Sequence, residues 1–466
     1  MSFISLQFAG FILLLILLMY LIKDKKKQNI LLLVASYIFY ALGDYRFLLI
    51  LVAISSLMWF LGKRISTDRE RAKVYLVIGV VVDLLVLGVF KYFNFFVGSF
   101  ADLLGMNYTS LKIVLPLGIS FYMFQSISYL ADVYKKKIEA ESNILNILLY
   151  IGFFPQITSG PIVKAHYFLP QLKERKRVSW TSISNGAQIF LLGLFKKVVI
   201  ADRLGVCVDS VYSAPGAYSA LSIAMAVVSY SIQIYCDFSG YSDMAIGVAT
   251  ALGFDLGINF NLPYIAKNVS DFWRRWHISL SSWFRDYVYI PLGGNRRGNF
   301  RTYYNLFITM LLSGLWHGAS WLFVIWGLSY AVLSVVHKMY VGFMKKHFGD
   351  RKPLKVGVFL SVIVNYICVA LLWIPFRSDS WGQVVNIFKG LFTGRSGIDY
   401  INVYSVVFII LITIVEIIAI VKNKWNNPIK PMNLTKFWPK VVIICFVIVI
   451  IVFSYVGDTA FIYSNF

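Results

Sequence analysis

Two histidines lie in otherwise membrane-like sequence, where their side chains could exchange a proton near neutral pH. His277 directly follows Trp276, and His317 directly follows Trp316 within a Gly-Leu-Trp-His-Gly sequence. An ionisable group at membrane depth is costly, which points to function, although a lone histidine there can also be a hydrogen-bonded packing residue. A neutral imidazole can accept the proton of a hydroxyl nucleophile, so we interpret His317 as a candidate general base.

Two carboxylates form a second candidate cluster. Asp237 and Asp243 lie in a hydroxyl-rich segment that begins at Tyr235 and directly follows an apolar helix-like run. Acids in a membrane need partners, and a guanidinium can pair bidentately with a carboxylate. The arginines that we expect to supply this pairing are Arg274, Arg275 and Arg285. We interpret the acids first as a structural ion-pair network and second as direct participants in catalysis.

The segment from Asp271 to Asp286 predicts an amphipathic helix at the membrane interface. A helical reading puts Trp276 near one face and His277 near another, and a Pro-Leu-Gly-Gly turn that ends at Asn295 breaks the pattern. The supporting residues that we predict for the site, besides those of the acidic segment, are Trp276, Trp316, Arg285, Asp286 and Asn295.

The segment 150–164 cannot form a plain membrane-spanning helix. It contains two prolines and two glycines in an apolar stretch, together with polar side chains such as Gln156 and Lys164. Proline removes a backbone donor, so the freed carbonyls must be satisfied by protein or by a water-lined cavity. The pattern predicts either a re-entrant element beside a site or a kinked pair of helices.

Composition defines the elements that must position these groups. The chain has 466 residues, of which 59% are hydrophobic and only 14% charged. Apolar runs long enough to cross a bilayer recur along it, with clear examples at Ile4–Ile22, Val74–Phe90, Val356–Ile374 and Val403–Val421. We predict an all-α, polytopic integral membrane protein with roughly ten to fourteen membrane segments, including re-entrant pieces. The absence of linkers or fixed repeats in the sequence predicts one membrane domain over residues 1–466.

The net charge of +22 arises from basic clusters such as Lys23–Lys27, Lys63–Lys73 and Arg296–Arg301. The positive-inside rule assigns these clusters to the cytoplasm, where they also attract anionic lipid headgroups.

The sequence has no nucleic-acid module, P-loop, nucleophile elbow or paired-histidine zinc motif. The four cysteines lack metal or redox spacing. We therefore expect membrane lipids as partners, no nucleic acid, no metal and no bound cofactor.

Several segments in order resemble the membrane-bound O-acyltransferase family, specifically its bacterial alginate O-acetyltransferase branch. The segments that carry the resemblance are 154–164, 193–197, 235–245, 261–264 and 271–326. They are densest over about residues 150–330 and extend more loosely over the whole chain.

The resemblance implies a funnel of tilted helices in which a cytoplasmic acyl donor meets an extracytoplasmic acceptor. It assigns the catalytic base to His317 and a partner role, on the donor side, to His277. It also implies transfer of an acetyl group, with acetyl-CoA as donor substrate, towards hydroxyls of an extracytoplasmic polysaccharide. A separate extracytoplasmic acetyltransferase or relay protein would be a partner, and the location would be a bacterial inner or plasma membrane.

Two alternatives remain open from the sequence. The D-alanyl transferase branch, which modifies teichoic acid from a carrier protein, resembles the chain around both histidines but usually lacks the turn at Tyr289–Asn295, which favours acetyl transfer. A membrane transporter would also contain broken helices and buried charges. Internal symmetry, which transporters often show, is not visible in this sequence.

Overall fold

Helices account for the regular structure of the chain. The computed structural model describes residues 1–349, 355–421, 431–455, 457 and 461–462. Within these residues the helices are joined by turns, and one isolated bridge pairs Tyr218 with Ile398. The predicted all-α class is confirmed. The α-helices in chain order are α1 (Leu6–Leu21), α2 (Lys25–Asp44), α3 (Leu48–Thr67), α4 (Ala72–Leu87), α5 (Phe93–Leu103), α6 (Ile119–Tyr134), α7 (Ile144–Gly152), α8 (Phe154–Ile157), α9 (Ala165–Leu172), α10 (Trp180–Phe195), α11 (Asp202–Ser213), α12 (Ala220–Ala251), α13 (Val269–Arg275), α14 (Ile278–Phe284), α15 (Gly298–His317), α16 (Trp321–Phe348), α17 (Lys355–Arg377), α18 (Trp381–Phe392), α19 (Val403–Val421) and α20 (Phe437–Phe453).

Several of these helices are long and apolar enough to cross a bilayer. Among the described residues, five helical stretches meet that condition, and three shorter apolar helices accompany them. The predicted runs near residues 4, 74, 356 and 403 correspond to α1, α4, α17 and α19. The five long stretches are Lys25–Thr67, which contains both α2 and α3, Ala72–Leu103, Ala220–Ala251, Trp321–Phe348 and Val356–Arg377. The polytopic prediction is confirmed.

Glycines allow α10 and α12 to approach each other closely. A side chain on Gly186 would overlap the Gly247 carbonyl oxygen, and one on Gly193 would overlap that of Gly240. Small residues at a helix interface let two backbones pack against each other within a membrane. Most side chains of α12 are buried, and the close contact brings the end of α10 against them.

The helices α15 and α16 form an antiparallel hairpin whose turn follows His317. Gly314 and Gly327 face each other, and a side chain on either would overlap the backbone of the opposite helix. The end of α17 then packs beside the start of α16, where the rings of Phe376 and Phe323 lie 5.1 Å apart. We call the opposite end of the hairpin the basic end, because α15 begins there after Arg297 and the last turn of α16 there contains Lys346.

The proline- and glycine-rich segment is interrupted, as its sequence predicts. The helix α7 has nine residues, α8 has four and α9 has eight, so the longest rises only about 14 Å and cannot cross a bilayer. Gly118, in a left-handed conformation with φ of +68°, packs against the Ile157 carbonyl with no room for a side chain. This contact fixes the segment against the start of α6.

The predicted continuous helix over residues 271–286 is wrong. The segment is divided into α13 and α14, and the break falls at Trp276 and His277. His277 adopts a left-handed backbone conformation with φ of +42° and ψ of 57°. A non-glycine residue rarely adopts this conformation, and such strain is concentrated at functional sites. The break turns both side chains inward, where they are buried.

Candidate active site

A small polar network holds His277. The side chain is completely buried, and its Nδ1 lies 3.2 Å from Oδ1 of Asn259. The same oxygen accepts hydrogen bonds from the backbone N–H of Ser279, at 3.2 Å, and from its hydroxyl, at 2.9 Å. The Asn259 amide nitrogen donates to Ser242, and its backbone carbonyl accepts from Ile278. The histidine ring is therefore fixed by three separate chain segments.

These contacts determine the tautomer of His277. A backbone N–H can only donate, so the Asn259 atom that faces the Ser279 N–H must be the carbonyl oxygen. That oxygen can only accept, so His277 Nδ1 carries the proton and donates it to Asn259. The lone pair is then on Nε2, which is buried and has no hydrogen-bond partner among the described residues. His277 presents a proton acceptor to the protein interior.

Aromatic rings surround His317 at the end of α15. Its side chain is 1% exposed, and the rings of Trp326 and Phe376 meet it edge to face at 4.8 and 5.2 Å. The adjacent Trp316 ring lies 4.9 Å away. Such a setting excludes bulk water from the imidazole.

The two histidines meet at one indole. Trp316 lies 4.9 Å from His317 and 6.0 Å from His277, measured between ring centroids. On its other side it packs against Phe121 and Phe124 of α6 at 5.4 and 5.6 Å. The structure thus brings together His277, His317 and Trp316, three residues that the sequence singled out.

Two cavities lie near this centre, one at the start of α16 and the other along its middle, and neither His277 nor His317 is among the described residues that line them. The first, which we call the polar cavity, has a volume of about 900 Å³ and is bounded by Phe323 and Phe376 next to His317, with charged walls from Lys197, Asp237 and Arg377. The second, the basic-end cavity, has a volume of about 430 Å³. It is lined largely by apolar groups, with Arg274, Arg285 and Lys338 among its lining residues, and it extends to Ser313. Ser313 lies one helical turn, about 6 Å, before His317.

The interrupted segment also reaches this centre. The backbone N–H of Ile162 donates to the Ser279 hydroxyl at 3.0 Å, and that hydroxyl is part of the network around His277. Thr158, in the same segment, forms a short hydrogen bond with Tyr241 of α12. The irregular backbone therefore lies beside the histidine site, which agrees with the re-entrant interpretation.

Comparison with known proteins places these features in a family. The model of the membrane-bound O-acyltransferase family matches residues 135–374, a range that contains both histidines and the interrupted segment. The chain belongs to the membrane-bound O-acyltransferase family. It is therefore an acyltransferase, and its long apolar helices and bacterial relatives indicate a multi-pass protein of a bacterial inner membrane. Family membership favours an enzyme over the transporter alternative.

The similar proteins are named for acyl transfer to alginate, peptidoglycan or teichoic acid. The chain is 38% identical over 372 residues to a probable alginate O-acetylase of Pseudomonas aeruginosa. This alignment covers 78% of this chain and 70% of that protein. It is 36% identical over 397 residues to the peptidoglycan O-acetyltransferase of Helicobacter pylori, covering 79% and 74%. It is 30% identical over 246 residues to the teichoic acid D-alanyltransferase of Bacillus subtilis, covering 50% and 61%.

The acids of this acyltransferase have different partners from those that the sequence suggested. Asp243 pairs with Lys196 at 2.6 Å, and Asp237 pairs with Lys197 at 2.6 Å. The prediction that Arg274, Arg275 and Arg285 neutralise these acids is therefore wrong. The arginines Arg275 and Arg285 instead pair with Asp271 and Asp286. The cause is the close contact between α10 and α12, which places two consecutive lysines opposite the acidic helix.

Tyr235 and Trp276 belong to an aromatic layer beneath the histidines. Trp276 packs against Phe260 and Trp373, each at 5.0 Å, and Tyr235 lies 6.0 Å from Phe260. Phe260 is in turn 6.3 Å from the His277 ring. These two residues therefore support the site through packing.

The remaining predicted residues lie at the basic end. Arg285 lines the basic-end cavity, Asp286 pairs with both Arg285 and Lys164, and Asn295 is exposed in the following loop. Among the described residues, none of the three makes a hydrogen bond or ring contact with either histidine. Burial alone would raise the pKa of Asp286, which lies outside the long apolar stretches, but the bonds from Arg285 and Lys164 outweigh it and lower the pKa to about 2.

The low pKa of Asp286 predicts a pH-dependent contribution to stability. A carboxyl whose folded-state pKa is depressed stabilises the fold above its unfolded pKa of about 4 and loses that effect as the pH falls towards the folded value. Because the group is partly exposed, Asp286→Asn should reduce stability at neutral pH by about 1 kcal/mol or less. In detergent, the difference in unfolding temperature between wild type and Asp286→Asn should be constant from neutral pH to about pH 4. It should narrow only below about pH 4. A difference that persists unchanged in more acidic buffer would contradict the ion-pair explanation.

Sequence reasoning missed two residues that shape the site. Asn259 fixes the His277 ring, and the signal that could have found it is a pair of asparagines in an otherwise apolar loop before Pro263. Lys91 donates a hydrogen bond to the Trp316 carbonyl at 2.5 Å, and it is a lone lysine among apolar and aromatic residues. Within the part of the chain that the structure describes, no group of three His, Cys, Asp or Glu side chains could hold a metal ion.

Proposed function

We propose that the protein transfers an acetyl group from acetyl-CoA, bound at the basic end, to a hydroxyl that enters from the opposite side of the membrane. The observation that carries this proposal is the pair of cavities near His317 and His277, one at the start of α16 and the other beside Ser334 and Lys338 of the same helix. The positive-inside rule assigns the basic end to the cytoplasm, where acetyl-CoA is available. The polar cavity would then face the extracytoplasmic side.

The two cavities differ in a way that fits the two substrates. The basic-end cavity combines apolar walls with Arg274, Arg285 and Lys338, which suits a pantetheine arm followed by phosphates. The polar cavity carries paired acids and bases such as Asp209 and Arg377, which suits a hydroxyl-rich acceptor. The whole chain, residues 1–466, acts in this proposal as a single membrane domain.

The chemistry requires one base and two proton transfers, the first to this base and the second from it to the leaving group. His317 accepts the proton of the acceptor hydroxyl as its oxygen attacks the thioester carbonyl. The bond from carbon to sulfur then breaks, the acetyl ester forms, and the departing thiolate takes the proton from the imidazolium. His277, with its Nε2 lone pair directed inward, positions the donor side, and the indole of Trp316 contacts both imidazoles.

The acceptor in this proposal is an extracytoplasmic polysaccharide or cell-wall polymer. The support comes from relatives named as alginate O-acetylase and peptidoglycan O-acetyltransferase, each of which covers more than three quarters of this chain. A separate extracytoplasmic acetyltransferase or relay protein would carry the acetyl group onward where the polymer itself cannot enter the cavity.

D-alanyl transfer is the second candidate function, because the teichoic acid D-alanyltransferase of Bacillus subtilis is 30% identical over half of this chain. Purified protein in sealed vesicles separates the two functions when it is given either radiolabelled acetyl-CoA or a radiolabelled D-alanyl carrier protein. Labelled esters formed from acetyl-CoA alone would support the proposal. Label transferred only from the carrier protein would replace it with D-alanyl transfer.

The cations of the basic-end cavity should determine the affinity for the nucleotide part of the donor. Replacing Arg274 or Lys338 with alanine removes a charge that can bond a phosphate, so each change should raise the KM for acetyl-CoA roughly tenfold. The KM for acetyl-pantetheine, which lacks the nucleotide, should not change. Steady-state transfer to a small soluble alcohol measures both values.

The matched control for this prediction is Lys346→Ala. Lys346 is an exposed lysine in the last turn of α16 and does not line the basic-end cavity. Its replacement should leave both KM values unchanged. If the two cavity variants and the control raise the KM equally, general attraction to the basic surface explains the effect and the proposed donor cavity is wrong.

A further inference from the structure

Lys91 lies where a charged side chain is costly. It belongs to a π-helical segment, Gly88–Tyr92, that joins α4 to α5 inside one of the long apolar stretches. Among the described residues, no carboxylate forms an ion pair with it. A cation at membrane depth without an acidic partner is a functional candidate, because membrane segments otherwise exclude it.

The bonds that Lys91 makes lead directly to the end of α15. Its Nζ donates to the Trp316 carbonyl at 2.5 Å and to the Ser120 hydroxyl at 3.1 Å. The next residue, Tyr92, donates its hydroxyl to the Leu315 carbonyl at 2.7 Å. Two consecutive side chains therefore satisfy two consecutive carbonyls immediately before His317.

The end of α15 needs these donors. The last carbonyls of a helix have no partner within the helix, and many helices satisfy them with a following residue in the left-handed conformation. Here the residue that follows α15, Gly318, is extended, with φ of −176°. It therefore does not cap the last carbonyls through a left-handed conformation. An unsatisfied carbonyl in an apolar setting is costly, and a cation also favours the negative end of the helix dipole.

Trp316 is held on more than one side as a result. Its carbonyl accepts from Lys91, its indole N–H donates to the Ser120 carbonyl at 3.4 Å, and Lys91 lies 5.7 Å from the centroid of its ring. The same indole contacts both histidine rings. A change at Lys91 would therefore reach the Trp316–His317 peptide through a direct bond.

A small cavity lies beside this contact. It has a volume of about 220 Å³, and its walls include Lys91, Asn94 and Gly318. The lysine side chain thus lies between the end of the helix and open space next to Gly318. This arrangement leaves room for the end of α15 to shift if the ammonium is lost.

We propose that Lys91 is a positioning residue for acyl transfer, which acts by fixing the end of α15 and with it the orientation of His317. This inference rests on the proposed function, in which His317 is the base. A displacement of about 1 Å at a reacting group can cost on the order of 100-fold in rate. Lys91→Met keeps the length and apolar stem of the side chain but removes its three donors.

The experiment compares kcat per folded molecule, because a purely structural role would change the amount of folded protein and leave kcat unchanged. We expect Lys91→Met to lower kcat roughly 100-fold with little change in the KM for acetyl-CoA. Lys91→Arg, which keeps the charge and the donors, should restore at least a tenth of the activity, and Tyr92→Phe should have a smaller effect than Lys91→Met. Lys112→Met, at an exposed lysine, is the control and should behave as wild type.

The outcomes separate this inference from the function on which it rests. If His317→Ala, measured in parallel, retains activity, the proposed function fails. If His317→Ala is inactive while Lys91→Met keeps its kcat per folded molecule, only the positioning role of Lys91 is wrong. Equal inactivity of Lys91→Met and Lys91→Arg would also overturn it, since the donors and the charge would then not be the cause.

Discussion

His317→Ala is expected to reduce acetyl transfer by about 10²- to 10⁴-fold, the range that a positioned general base contributes. The physical reason is that the proposed reaction removes the hydroxyl proton through the imidazole of His317, and alanine has no group that could accept this proton. The measurement is radiolabelled acetyl ester formed by purified protein in vesicles, normalised to the amount of folded enzyme. Donor binding should survive, because the basic-end cavity is unchanged.

Removing an imidazole also leaves a void among the rings of Trp326 and Phe376, so a second variant must separate packing from proton transfer. His317→Gln fills much of the volume and can form hydrogen bonds, but it cannot act as a base near neutral pH. We expect it to be as inactive as the alanine variant while unfolding at a temperature close to that of wild type. His337→Gln, on α16 outside the site, is the matched control. Activity retained by His317→Gln would show that this histidine does not move the proton.

His277 could be singled out from the sequence by its residue type, but its backbone geometry could not be predicted. An ionisable residue inside apolar sequence stands out by type alone, and in the structure the rings of both histidines lie next to Trp316. The left-handed backbone at His277 depends on Asn259, 18 residues earlier. Local periodicity contains no information about such a partner, so it predicted a continuous helix.

The membrane helices could be predicted for a simpler reason. Length and apolar composition are sufficient to identify α1, α4, α17 and α19, because a bilayer imposes the same requirement on every span. The pairing of Asp237 and Asp243 depends instead on the rotation of α10 against α12. Gly193 and Gly240 set that contact, and it selects Lys196 and Lys197 over the arginines near His277. Sequence proximity was a poor guide because helix packing decides which charges meet.

The ion pairs that Lys197 forms with Asp237 and Asp202 are expected to be the most important ionic contacts for the stability of the fold. Its Nζ lies 2.6 Å from Asp237 and 2.9 Å from Asp202, and all three side chains are nearly inaccessible to solvent. Lys197→Met removes the cation and leaves two carboxylates close together in a poorly solvated place. Removing one partner of a buried ion pair costs about 3–5 kcal/mol, so we expect a large fall in the unfolding temperature in detergent and little folded protein in the membrane.

A combined variant tests whether unpaired charge is the cause. Lys197→Met together with Asp202→Asn and Asp237→Asn removes all three charges and should recover much of the lost stability, since replacing a complete buried ion pair by neutral groups is often tolerated. Asp237 Oδ2 also accepts a hydrogen bond from the Ile462 backbone at 2.8 Å, and the asparagine oxygen can still accept it. Lys63→Met, at a lysine that stacks on Trp59, controls for loss of a lysine that lacks this burial. If the combined variant is as unstable as Lys197→Met, unpaired charge is not the cause of the instability, and the acids that line the polar cavity are not held there by charge.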